Sequence, residues 1–92
     1  MALRDDQRLT TSNKVLSRVF DGDAVLLDLG SGTYFGLNEV GSRIWQSLEK
    51  GATVAELVAA VLAGFEVDEA TARRDLDALL EDLSTRGLIV VS

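Results

Sequence analysis

The chain's chemistry must come from carboxylates, amines, guanidiniums, hydroxyls and one tyrosine, because its 92 residues include no histidine and no cysteine. That removes the commonest general base, the commonest metal ligand and the thiolate nucleophile together. Among the fifteen acids, the densest group is Asp75, Asp77, Glu81 and Asp82. Paired carboxylates can do general acid–base work, and a tight loop of them can hold calcium. Here the spacing has a plainer meaning. Glu69–Arg73, Arg73–Asp77 and Asp82–Arg86 are i,i+4 pairs, the pattern of a solvated helix face. Gly30-Ser31-Gly32 is like a fragment of a phosphate loop, but no lysine and no helix follow, so it reads as a hairpin turn. No catalytic residue, metal or cofactor is expected, and the chain reads as a non-enzyme.

Charge narrows the partners. A net charge of −6 opposes binding to phosphate backbones and anionic lipid surfaces. The stretch from Met1 to Asn13 is polar and mixed in charge, unlike a secretory signal. Nothing approaches the roughly 20 apolar residues of a membrane span. The expectation is a soluble, cytoplasmic protein forming one domain over 1–92, with a core from about 14 to 91.

Three strands and then three helices must position whatever site exists. Lys14 to Phe20 is rich in β-branched and apolar residues. Asp21-Gly22 follows, a hairpin signal because both turn positions need positive φ. Asp23 to Leu29 returns, with Val25, Leu27 and Leu29 on one face. Gly30 to Gly32 turns again, and Thr33 to Leu37 completes a meander. Met1 to Thr11 adds a further extended segment. Asn38 caps the first helix, where Val40, Ile44, Trp45 and Leu48 share a face, and Gly51 ends it. Thr53 to Glu56 is a capping box for the second, with Ala52 and Leu57 as its staple. Leu57, Val58, Val61 and Leu62 form that helix's stripe, and Gly64 closes it. Asp68 caps the third helix, whose stripe is Ala72, Leu76, Leu79 and Leu83. Gly87 terminates it in a Schellman motif, with Leu88 against Leu83. Leu88 to Val91 is a short tail docked on the body. The architecture is α+β, a three-stranded antiparallel sheet followed by a three-helix bundle, similar in outline to a winged helix-turn-helix.

A winged helix suggests DNA, and a DNA-binding regulator is the rival reading from another class. Its recognition helix would be Asp68 to Arg86. That segment carries Arg73, Arg74 and Arg86 against Asp68, Glu69, Asp75, Asp77, Glu81 and Asp82, the wrong sign for phosphate contacts. A peptide groove fits better. Thr33, Tyr34, Phe35 and Gly36 lie on the last strand of the meander, which has no lysine or proline to block its edge. An extended peptide can add there as a fourth strand. Arg73, Asp77, Leu80 and Ser84, beside the core position Leu76, form the helix flank expected to face it; the plainer alternative has Leu80 in the core and Tyr34 and Phe35 straddling a covered sheet. The opposite flank, Thr71, Asp75, Ala78 and Asp82, looks blander.

Several stretches carry a family likeness. They are Leu26-Leu27-Asp28-Leu29-Gly30-Ser31-Gly32-Thr33-Tyr34-Phe35-Gly36-Leu37-Asn38, then Gly41-Ser42-Arg43-Ile44-Trp45, then Asp75…Leu79-Leu80…Leu83…Arg86-Gly87-Leu88. In this order and spacing they resemble the PqqD-like family over nearly the whole chain. The resemblance implies a recognition element for ribosomally made, post-translationally modified peptides, which binds the leader of a precursor as an added strand between the third strand and third helix. Where the pathway protein of pyrroloquinoline quinone synthesis usually has Pro-Glu after its strand, this chain has Asp28-Leu29-Gly30. It is therefore more similar to the discrete members of lasso peptide clusters. Those imply a leader-removing cysteine protease and an ATP-dependent cyclase as partners, and a free-standing adaptor. The alternative within the family is a carrier delivering a precursor peptide to a radical enzyme in quinone cofactor synthesis.

Overall fold

The computed structural model describes residues 3–91. In chain order the elements are β1 (Arg8–Thr11), β2 (Val15–Phe20), β3 (Asp23–Asp28), β4 (Thr33–Leu37), α1 (Glu39–Glu49), β5 (Ala52–Thr53), α2 (Val54–Gly64), α3 (Glu69–Thr85) and β6 (Ile89–Val91). Among the described residues they form two three-stranded antiparallel sheets, ordered β2-β3-β4 and β5-β1-β6, with three helices. The α+β reading, meander before helices, holds. The second sheet is an addition. The extended N-terminal segment becomes its central strand, and the docked tail becomes β6. Met1 and Ala2, the start of that expected segment, lie outside the described residues.

The local signals hold because each acts on its own neighbours. Asp21 and Gly22 both take positive φ, 50° and 88°, as a two-residue hairpin loop requires. The Asn38 carboxamide accepts from Gly41 N at 2.9 Å. In the capping box, Thr53 Oγ1 accepts from Glu56 N (3.1 Å) and Glu56 Oε1 accepts from Thr53 N (2.8 Å). Asp68 Oδ1 accepts from Thr71 N at 2.7 Å. At the end of α3, Gly87 has φ 72°, Gly87 N donates to Ser84 O and Leu88 N donates to Leu83 O, which is the Schellman pattern.

The core joins Leu9, Leu26, Ile44, Trp45, Leu48, Leu57, Leu76, Leu80, Leu83 and Leu88. Leu9 is fully enclosed and Leu3 packs on the cluster, so packing begins ahead of residue 14. Val25 and Leu27 share a face as expected, and it is the outer one, while two placements on the helices differ from the sequence reading. β3 buries Ala24, Leu26 and Asp28, so Val25 and Leu27 face outward and Leu29 is exposed. Both faces of that strand are largely apolar, so alternation alone could not choose between them. Leu62 is exposed on α2, while Val54 is buried. On α3 the buried stripe is Ala72, Leu76, Leu80 and Leu83, and Leu79 is only half-buried.

Several of these local carboxylates tie stability to pH. Burial alone would raise the Asp28 pKa, but the Gly30 amide, the Ser31 hydroxyl and amide, and the Lys14 charge outweigh it, leaving it below the ordinary 3.8. The Thr53 amide and hydroxyl hold Glu56 below 4.5, and the Thr71 amide and hydroxyl hold Asp68 below 3.8. A depressed native pKa means that the unfolded chain takes up the proton first. The contribution is complete above the unfolded pKa and is lost as pH falls through the native one. The melting temperature followed by circular dichroism should stay level from about pH 7 to 5 and drop below about pH 4. Asp68→Asn, an equally good cap without a titrating group, should remove part of that drop. A melting temperature unchanged down to about pH 2 would contradict this linkage.

Candidate peptide-binding cleft

β3 is the centre of its sheet, so β2 and β4 are the edges. Register fixes which β4 groups are free. Leu29 N donates to Lys14 O, toward β2, whereas Asp28 O accepts from Gly32 N on the β4 side. Successive residues of an antiparallel strand point their peptide groups to opposite neighbours. Asp28, Leu26 and Ala24 therefore bond to β4, through their partners Thr33, Phe35 and Leu37. Tyr34 and Gly36 are left with N–H and C=O directed outward at the open edge. Their side-chain positions lie on the sheet's outer face, where Tyr34 is exposed, while Phe35 and Leu37 are half-buried against the core.

Between β4 and α3 lies a cleft of about 400 Å³. Gly36, Leu37 and Asn38 form one wall, and Ala72, Asp75, Leu76, Leu79 and Asp82 of α3 form another. Val40, Ile44, Val61 and Val67 complete a largely apolar lining. At the Phe35 end, the Arg86 guanidinium stands 4.3 Å over the phenyl ring and donates from Nε to Asp82 at 3.0 Å. The cleft thus combines an unpaired strand edge, apolar walls and a polar rim, the parts needed to hold an extended peptide.

The sequence-based residues divide. Thr33, Tyr34, Phe35 and Gly36 are on the open strand, and Leu76 is in the cleft. Arg73, Asp77 and Leu80 are on the other side of α3, around a smaller hollow of about 100 Å³ shared with Leu3, Asp5, Val54 and Val58. Their expected place on the cleft flank is corrected accordingly. Leu80 is 1% exposed and belongs to the core. Arg73 clamps the N-terminal segment, donating to both Asp5 oxygens at 2.8 and 3.1 Å and to Glu69 at 3.0 Å. Hydrogen bonding to Asp5 and then Glu69 raises the Arg73 pKa, and the same contact lowers that of Asp5. The cleft flank is the one the sequence made look bland, Asp75 and Asp82, with Leu79 between them. Ala72, Asp75, Leu79 and Asp82 recur at three- and four-residue steps, so the periodicity held the signal. Nothing local told it from the neighbouring stripe.

No curated protein sequence matches the chain. Two solved structures are similar to it. One, described as TbiB1 in complex with the TbiA(beta) leader peptide, is 45% identical, with a TM-score of 0.81 over 87% of this chain and 93% of that one. The other, a lasso peptide synthetase B1 complexed with the leader peptide, is 29% identical, with a TM-score of 0.77 over 89% and 96%. The family model of coenzyme PQQ synthesis protein D (PqqD) matches residues 23–89. Running from the first residue of β3 to the first of β6, this match covers the open strand, the cleft and all of α3, and the chain belongs to the PqqD family.

Proposed function

We propose that this chain captures the leader segment of a precursor peptide, of the lasso class, by strand addition to β4, and presents it to a leader-removing protease. The observation that carries the reading is the free edge at Tyr34 and Gly36 opening onto the apolar cleft under α3. Two similar structures hold leader peptides, one of them at 45% identity. Backbone pairing supplies affinity with little dependence on sequence. The cleft adds selectivity through the side chains at every second leader position. The adaptor needs no chemistry of its own. By holding the leader while docked on the protease, it raises the effective concentration of the scissile segment. The ATP-dependent cyclase is a further partner in this reading.

Titrating the TbiA(beta) leader against the protein by calorimetry should give a Kd near micromolar or below, about −8 kcal/mol, without ATP or metal. Added to a leader-removing protease and its precursor, the protein should lower the apparent KM for cleavage and do nothing to the precursor alone. No heat and no NMR shift with leader would refute capture. Leader binding with unchanged cleavage would refute presentation alone.

A further inference from the structure

The charged residues of the cleft lining are all of one sign. Its lining includes two carboxylates, Asp75 and Asp82, and no basic side chain. The two differ in what already engages them. Asp82 is paired with Arg86 at 3.0 Å, beside Phe35. The cation paired with Asp75 is its sequence neighbour Arg74, at 3.7 Å, and the two side chains are 63% and 77% exposed. An ion pair that long between solvated groups holds neither firmly. Asp75 therefore keeps acceptor capacity at the rim of an apolar cleft.

The spacing on α3 matches that of a strand. Asp75 and Leu79 are i,i+4, which is about 6 Å along the helix axis. Alternate residues of a strand share a face and are about 6.6 Å apart. A strand added to β4 and running along α3, with one side chain over Leu79, would bring the side chain two residues away level with Asp75. A lysine or arginine there can lay its alkyl stem along the apolar wall and place its charge at the carboxylate. A glutamate there would meet Asp75 directly.

We propose that the cleft selects leader segments in which a lysine or arginine stands two residues from the apolar anchor, with its cation read by Asp75. This rests on the leader-binding reading above and adds the charge and spacing of the ligand. The test is a scan of the TbiA(beta) leader with Ala, Lys or Glu at each position in turn, titrated at low salt. The proteins are the parent, Asp75→Asn, Asp75→Lys and a net-charge control, Asp6→Lys, at an exposed site outside the cleft. Circular dichroism confirms that each is folded. Two residues from the position most damaged by Ala, Lys should bind about fivefold tighter than Glu. That preference should vanish in Asp75→Asn, reverse in Asp75→Lys, persist in Asp6→Lys and shrink in high salt. A leader that binds but shows no such position, or whose charge preference ignores Asp75, overturns the proposal and leaves leader capture standing. If no peptide of the scan binds any of the proteins, leader capture itself fails, and the proposal with it.

Discussion

Leu80→Asp will not fold, whereas Leu79→Asp will fold and bind its peptide at least about tenfold more weakly. Leu80 is enclosed with Leu76 and Leu83 of its own helix and shares a hollow with Val54, Val58 and Leu3. Truncating a buried leucine costs about 2–5 kcal/mol, and a carboxylate enclosed without a cation adds several more. A domain of this length holds about 5–14 kcal/mol in total, so the cooperative melt seen by circular dichroism should be absent. Leu79 is half-buried at the cleft wall, where a carboxylate still reaches water. Stability there should fall by only about 1 kcal/mol. Binding should suffer more, because the wall loses apolar area and a third acid joins Asp75 and Asp82. Leader affinity should drop at least about tenfold, about 1.4 kcal/mol. A folded Leu80→Asp would contradict its place in the core. A Leu79→Asp variant that binds leader as tightly as the parent would take α3 out of the peptide site.

These two leucines also mark how far the sequence could be read. Stripes of Ala72, Leu76, Leu79, Leu83 and of Ala72, Leu76, Leu80, Leu83 both follow helical steps of three and four. The choice between them lies off the helix. The segment bearing Leu3 and Asp5 and the start of α2 cover the Leu80 side, whereas β4 stops short of closing over Leu79. Arg73 lies on the Leu80 side for the same reason. Its partner Asp5 is distant in sequence, so the i,i+4 pattern showed Glu69 and hid the clamp.

The small sheet was the other gap. β5 has two residues and β6 three, each too short to show alternation. Their pairing with β1 joins Leu9 to Ala52 on one side and to Val91 on the other, contacts that only the folded chain brings together. The meander was legible because its turns are local and its strands are consecutive. That is also why the candidate strand edge, unlike the helix flank, could be read from the sequence.

Gly36→Pro should weaken leader capture sharply while leaving the fold nearly intact. The Gly36 N–H points out of the sheet rather than at β3, so its loss removes no bond from the existing ladder. Proline is tolerated on an edge strand, and the preceding residue, Phe35, is already extended. A Cβ at Gly36 meets nothing within 4 Å. For an incoming strand the change is severe. One donor is gone, the facing peptide carbonyl is left unpaired, and the ring occupies the space where that strand must approach. A lost hydrogen bond with an unsatisfied partner costs about 1–3 kcal/mol, so affinity should fall roughly tenfold to hundredfold. Gly36→Ala keeps the N–H and adds a methyl on the open outer face, so it should bind like the parent. Calorimetry with the TbiA(beta) leader, beside thermal melts of both variants, reads the comparison. Equal losses in the two variants would point to contact with the outer face of the sheet instead of strand pairing. A folded Gly36→Pro protein that binds like the parent would rule out strand addition at β4 and leave β2, the other edge of the sheet, as the strand to test.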